Sequence, residues 1–186
     1  MKIPVLGCDP SLSNWGLAAA ELDLTTGYLS TPELSLISPK ALSGKQVRVN
    51  SSDIHRATEL AEAVFKAASK AKAVFVEVPV GSQSARAMAS YGICIGILGS
   101  LRAKGVNFIE VTPKENKEVF HGSPTASKRD MIDKGLELYP DANWPAGKEP
   151  GTIADKAEHM ADAIAAIHAG VRTPMFQALM GLYQGI

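Results

Sequence analysis

Apolar positions along the chain fall into runs and stripes whose period changes from that of strands to that of helices. Val5–Cys8 and Trp15–Leu22 are apolar runs of strand length, joined by Asp9-Pro-Ser-Leu-Ser-Asn14; runs bounded by turn residues predict a strand pair. Asp23–Gly27 is a turn, and Tyr28–Ser30 with Glu33–Ser38, broken by Pro32, predict an interrupted third strand. Pro39–Ser52 is polar and reads as a loop or extended hairpin tip. From a cap at Ser52 or Asp53, apolar residues recur at Ile54, Ala57, Leu60, Ala61, Val64, Phe65 and Ala68, the spacing of a helix with one apolar stripe.

Ala73–Val78 is a continuous apolar run holding a single acid, Glu77, and predicts a strand covered on both faces. Ser84–Ala103 follows as a small-residue helix with Gly92, Gly96 and Gly99. Each glycine costs a helix interior about 1 kcal/mol, so the set predicts close approach of another backbone, from the sheet or from a second subunit. Gly105 ends that helix and Val106–Val111 is the next strand. Thr112–Lys117 turns into a short helix, Gly122–Ser127 caps one running to about Tyr139, and Pro140–Thr152 is a loop holding Trp144. Ile153–Ala169 is the last long helix. The tail, Pro174–Ile186, carries Met175, Phe176, Leu179, Met180, Leu182 and Tyr183 at mixed helical spacing and predicts a terminal helix on the body or on a partner. The order predicts an α/β fold: a mixed five-stranded sheet, three antiparallel strands then two parallel, flanked by helices.

At 186 residues the expectation is one domain, residues 1–170, followed by the tail, 171–186. A content of 46% hydrophobic and 20% charged residues suits a soluble globular protein, and no apolar stretch is long enough to span a bilayer. The start, Met1-Lys-Ile-Pro4, lacks the form of a secretory signal, so a cytoplasmic location is expected. Cys8 and Cys94 lie in apolar runs and are expected to be buried thiols. Nineteen basic and nineteen acidic residues cancel. The bases cluster at Lys40, Lys45, Arg48 and Arg56 and again at Lys114, Lys117, Lys128 and Arg129, so composition neither supports nor excludes a phosphate-backbone partner.

Asp9 at a strand end is by itself either a turn residue or a ligand. Glu77 weighs more, because a carboxylate in a doubly covered strand is costly unless paired or bound to a cation. On the last helix Asp155, His159 and Asp162 fall within roughly 60° of each other, with Glu158 beside them; such a stripe is equally common as a solvated face. The predicted layout lets the ends of the first and fourth strands meet the start of the last helix. Asp9, Glu77, His159 and Asp162 would then form one acidic cluster with an imidazole, a donor set suited to Mg²⁺ or Mn²⁺. Two such cations about 4 Å apart can clamp an in-line attack of water on a phosphodiester, and Lys117 and Lys128, at expected helix starts, could neutralise charge in the transition state.

These residues resemble the RuvC-type Holliday junction resolvases of the RNase H-like superfamily, in a divergent or phage-encoded form. Gly7-Cys-Asp-Pro-Ser11 with Gly16 is similar to the family's first motif, Phe75-Val-Glu77 to its second and His159-Met-Ala-Asp-Ala163 to its last; Lys117 and Lys128 match in identity and separation. The resemblance spans Val5 to about Gly170. It implies that Asp9, Glu77, His159 and Asp162 hold two Mg²⁺ or Mn²⁺ ions per site, that Lys117 and Lys128 assist at the scissile phosphate, and that a homodimer cuts branched DNA, above all four-way junctions. In the family the helix after the second motif contributes to the dimer interface. Many members have Asp where His159 stands, while others carry His. The bacterial enzyme's aromatic wedge after the second motif is replaced by Pro79-Val-Gly-Ser82, leaving the Pro39–Ser52 loop and the tail as candidates for substitute contacts. Two other readings stand beside the nuclease. One is a non-cutting RNase H-like protein that binds branched DNA; the other is an actin-like ATPase, which needs a second phosphate loop and a second similar domain that the chain lacks.

Overall fold

Lys2–Asp9 (β1) pairs antiparallel with Trp15–Asp23 (β2), bringing Asp9 opposite Gly16. This computed structural model describes residues 1–184; the tail positions 185–186, and the side chains of Leu182 and Tyr183 on which a terminal apolar helix was partly expected, lie outside the described residues. Glu33–Ile37 (β3) extends the meander beside β2, Ala73–Glu77 (β4) runs parallel to β1, and Phe108–Val111 (β5) runs parallel to β4. The sheet order is β3-β2-β1-β4-β5, with the three antiparallel and two parallel strands that the element order predicts.

Alternation along the central strands divides the interior into two cores. Leu6, Cys8, Val74 and Val76 face one side and pack with Leu60, Val64, Ile97, Leu98 and Leu101 of the helices Val49–Ala68 (α1) and Ala85–Ala103 (α2). Val5, Phe75 and Ile109 face the other side, against Ala163, Ile164 and Ile167 of the helix Glu158–Gly170 (α5). Pro113–Phe120 (α3) and Lys128–Leu138 (α4) complete that layer through Phe120 and Met131. Pro174–Gln184 (α6) follows, and Phe176 meets Phe75 edge to face at 5.3 Å. Both cysteines are buried free thiols. Among the described residues no helix is long and apolar enough to cross a membrane.

Several expectations shift in detail. The third strand is only Glu33–Ile37, with Leu29 adding a single bridge to Leu22, because Pro32 interrupts pairing. Helix α1 starts at Val49, with neither Ser52 nor Asp53 as its cap. Ser52 instead accepts from the Leu42 N–H at 3.0 Å, and Asp53 takes both arms of Arg86 at 2.5 and 2.7 Å, tying α1 to α2. Ile54, expected in the apolar stripe, is 68% exposed. The last helix begins at Glu158 after a separate 3-10 turn, Asp155–Ala157, so Asp155 is exposed and off the face of His159 and Asp162.

Candidate active site

Asp9 and Glu77 end adjacent parallel strands, each one residue beyond the Cys8 to Val76 pair. Since Cys8 and Val76 face the α1–α2 core, the period of two turns both carboxylates to the α5 side. There the first two turns of α5 supply His159 and Asp162. Close approach of α5 is possible because β1 and β2 carry glycines where it crosses. A Cβ on Gly16 would lie 2.0 Å from the His159 carbonyl oxygen, and one on Gly7 would lie 1.9 Å from that of Ala163.

The consequence is a direct contact between Asp9 Oδ2 and His159 Nδ1 at 2.6 Å, spanning 150 positions of sequence. Burial opposes a charged His159 ring, but the hydrogen bond and charge of Asp9, with Glu158 and Asp162, raise its pKa. Glu77 is pushed up to about 7 by burial and by the charge of Asp9, against the pull of Asn116 and Lys117. Asp162 is raised well above the usual carboxylate range, first by burial and then by the charges of Asp9, Glu77 and Glu158. Burial is the larger cause for both carboxyl groups, and the charge of Asp9 adds to it in each. Asp162 Oδ1 is buried with no hydrogen-bond partner, a state that burial ordinarily penalises by about 1–3 kcal/mol.

The two lysines are placed differently. Lys117 lies in the last turn of α3 rather than at a helix start, and its charge reaches Glu77. Lys128 is the first residue of α4, behind the Ser127–Asp130 capping box. Its Nζ bonds Glu158 Oε1 at 2.7 Å, a contact that raises the Lys128 pKa, and the side chain is 80% exposed. Glu158 Oε1 also lies 3.7 Å from His159 Nε2, so a fourth acid borders the site.

Asn116 was not anticipated. A lone Asn in the polar stretch Lys114–Glu118 reads as a surface residue, and only the i, i+4 pairing with Phe120 hints that it faces inward. The Thr112–Glu115 capping box and Pro113 set the start of α3, and Asn116 is completely buried. Its Nδ2 donates to Glu77 Oε2 at 2.5 Å and approaches the Asp162 carbonyl oxygen at 3.4 Å, while its Oδ1 is buried without a partner.

A divalent cation fits this set chemically: three carboxylates gathered with one imidazole, and an unpartnered buried oxygen on Asp162. Among the described residues, no three His, Cys, Asp or Glu side chains already stand at the spacing of a metal's ligands.

A mixed five-stranded sheet with three antiparallel and two parallel strands, crossed on one face by the helix that bears two of the site residues, is the fold of the RNase H-like class. More particularly it is the RuvC fold. The chain superposes on a structure of Thermus thermophilus RuvC at 19% identity over 97% of each chain, with a TM-score of 0.61. It superposes on T. thermophilus RuvC in complex with Holliday junction substrate at 18% identity over 96% of each chain, with a TM-score of 0.60. No protein-family model matches the chain, and no curated protein matches it.

Proposed function

We propose that this chain is a divalent-metal-dependent endonuclease that cuts Holliday junctions and related branched DNA. The observation that carries the reading is the meeting of Asp9 and Glu77, at the ends of adjacent strands, with His159 and Asp162 of α5, where Asp162 Oδ1 is buried without a hydrogen-bond partner, an arrangement that costs stability unless something positive binds there. The RuvC fold, and the Holliday junction bound by the T. thermophilus protein, support branched DNA as the substrate.

Asp9, Glu77, His159 and Asp162 would hold Mg²⁺ or Mn²⁺, two ions in the full site. Such ions, when bound, activate water and stabilise the leaving oxygen of a phosphodiester. The chain's own groups do the rest. Asp9 fixes the His159 ring by accepting at Nδ1. Lys117, beside Glu77, offers positive charge to the non-bridging phosphate oxygens, and Lys128 offers its ammonium from a helix N-terminus once it leaves Glu158. The working form is a homodimer, since symmetric cutting of a four-way junction takes two sites, and residues 1–170 form the catalytic domain with 171–186 as an appended tail. The basic loop 39–52 and that tail are the proposed substitute DNA contacts, and the proposed compartment is the cytoplasm, that of the host if the chain is phage-encoded.

The test is incubation of the purified protein with four-way, three-way and linear DNA in Mg²⁺ or Mn²⁺. The expected result is paired, symmetric nicks on the four-way substrate, abolished in Asp9→Asn without loss of junction binding. Tight junction binding by the native protein with no cutting in either metal would instead favour a catalytically inactive RNase H-like binder.

A further inference from the structure

We propose that Asn116 is a positioning residue for the metal-binding carboxylates, an inference that rests on the metal-nuclease reading. Three observations converge on it. Asn116 is fully buried, yet its donor group is directed at Glu77 Oε2, 2.5 Å away. The same Nδ2 approaches the main-chain oxygen of Asp162 at 3.4 Å. One carboxamide thereby links α3 to the end of β4 and to the second turn of α5, the elements that carry three of the four proposed ligands.

The geometry also divides labour within Glu77. Oε2 is occupied by the Asn116 N–H, which fixes the carboxylate's rotation and leaves Oε1 as the oxygen free for a cation. A hydrogen bond of this kind holds a carboxylate in one orientation and favours its charged form, as outer partners of metal ligands generally do. Lys117 is the next residue of the same helix turn, so the bond also sets the register of that lysine against the acids. Asn116 touches neither substrate nor reacting atoms in this role and acts wholly through Glu77 and Asp162.

The experiment is calorimetric titration of Mn²⁺ into the full chain without DNA, for the native protein and for Asn116→Leu, Asn116→Ala and Glu77→Gln, with a melting curve for each. Leu keeps most of the volume and removes the donor, while Ala removes both with less risk of a clash. Both Asn116 variants are expected to bind Mn²⁺ about tenfold or more weakly. Their junction cleavage should need correspondingly more Mg²⁺ for half-maximal rate and return to within a few-fold of the native rate at saturation. A purely structural residue would not show that rescue by metal. Native Mn²⁺ affinity in a folded Asn116 variant, with affinity lost in Glu77→Gln, overturns the positioning role alone. Unchanged affinity in Glu77→Gln as well overturns the metal-site reading on which the proposal stands.

Discussion

Gly16 and Gly7 decide how near α5 comes to the sheet. With any side chain at Gly16 the His159 backbone must retreat, because the added atom would lie 2.0 Å from its carbonyl oxygen. Backbone cannot move aside as a flexible side chain can, so Gly16→Ala should cost about 3 kcal/mol, at the upper end for overpacking. For a domain of this size that corresponds to a fall in melting temperature of about 6–12 °C. The substitution should also break the Asp9–His159 contact, visible as loss of the shifted His159 ring signals in NMR. A melting temperature unchanged within 2 °C would show that the approach of α5 is looser than described. At this scale the sequence was informative where a residue was out of character with its surroundings. Glu77 is an acid in an apolar run, and Gly16 matched a motif. Asn116 was invisible because an amide among charged residues looks solvated until the direction of its helix is known.

The helices were legible as stripes and less so at their ends. Helix α5 was expected from Ile153, yet the apolar pattern cannot separate a helix from a preceding 3-10 turn, and Asp155 consequently falls outside the site. Helix α1 starts four or five residues earlier than a cap at Ser52 or Asp53 suggested, since Ser52 and Asp53 are engaged with Leu42 and Arg86. The glycines of α2 carry more information. Added Cβ atoms at Gly92, Gly96 and Gly99 would meet nothing within 4 Å, and Met88 and Ile95 are 46% and 49% exposed. The close backbone approach expected there is therefore not made by this sheet, which leaves the second subunit as the proposed partner. Ile95→Glu places a charge on that face. It should convert a dimer to a monomer in sedimentation equilibrium while helix content by circular dichroism stays the same. Native monomer in the parent protein, or an undisturbed dimer in the variant, would remove α2 from the interface.

For the whole molecule, strand directions and the meeting of β1, β4 and α5 followed from the order of runs and connections, because parallel strands need helical crossovers and a meander does not; the lateral order, with β1 between β2 and β4, was not read from the sequence. The ligand spacing did not follow, since convergence of acids fixes neither their separation nor their rotamers. The central claim is that these acids crowd in a way that a divalent cation relieves, and it has a definite pH signature. Glu77 titrates near pH 4.5 when unfolded and near 7 in the fold, so between those values the native state binds more protons and stability falls as pH rises. Its share is of order 3 kcal/mol. His159 and Asp162, also raised, act with the same sign. His168 opposes them. Its buried ring, beside Tyr139 and lowered to about 4, adds stability that is complete above pH 6.5 and lost as pH falls toward 4. Comparison of the native protein with Glu77→Gln removes that common background. The most direct test is the melting temperature of both proteins from pH 4.5 to 8, first freed of metal and then in millimolar Mn²⁺. The account predicts that Glu77→Gln gains on the metal-free native protein as pH rises through 7, and that Mn²⁺ reverses the order at pH 8 by stabilising the native protein alone. Equal pH profiles without metal, together with no selective effect of Mn²⁺, would contradict it.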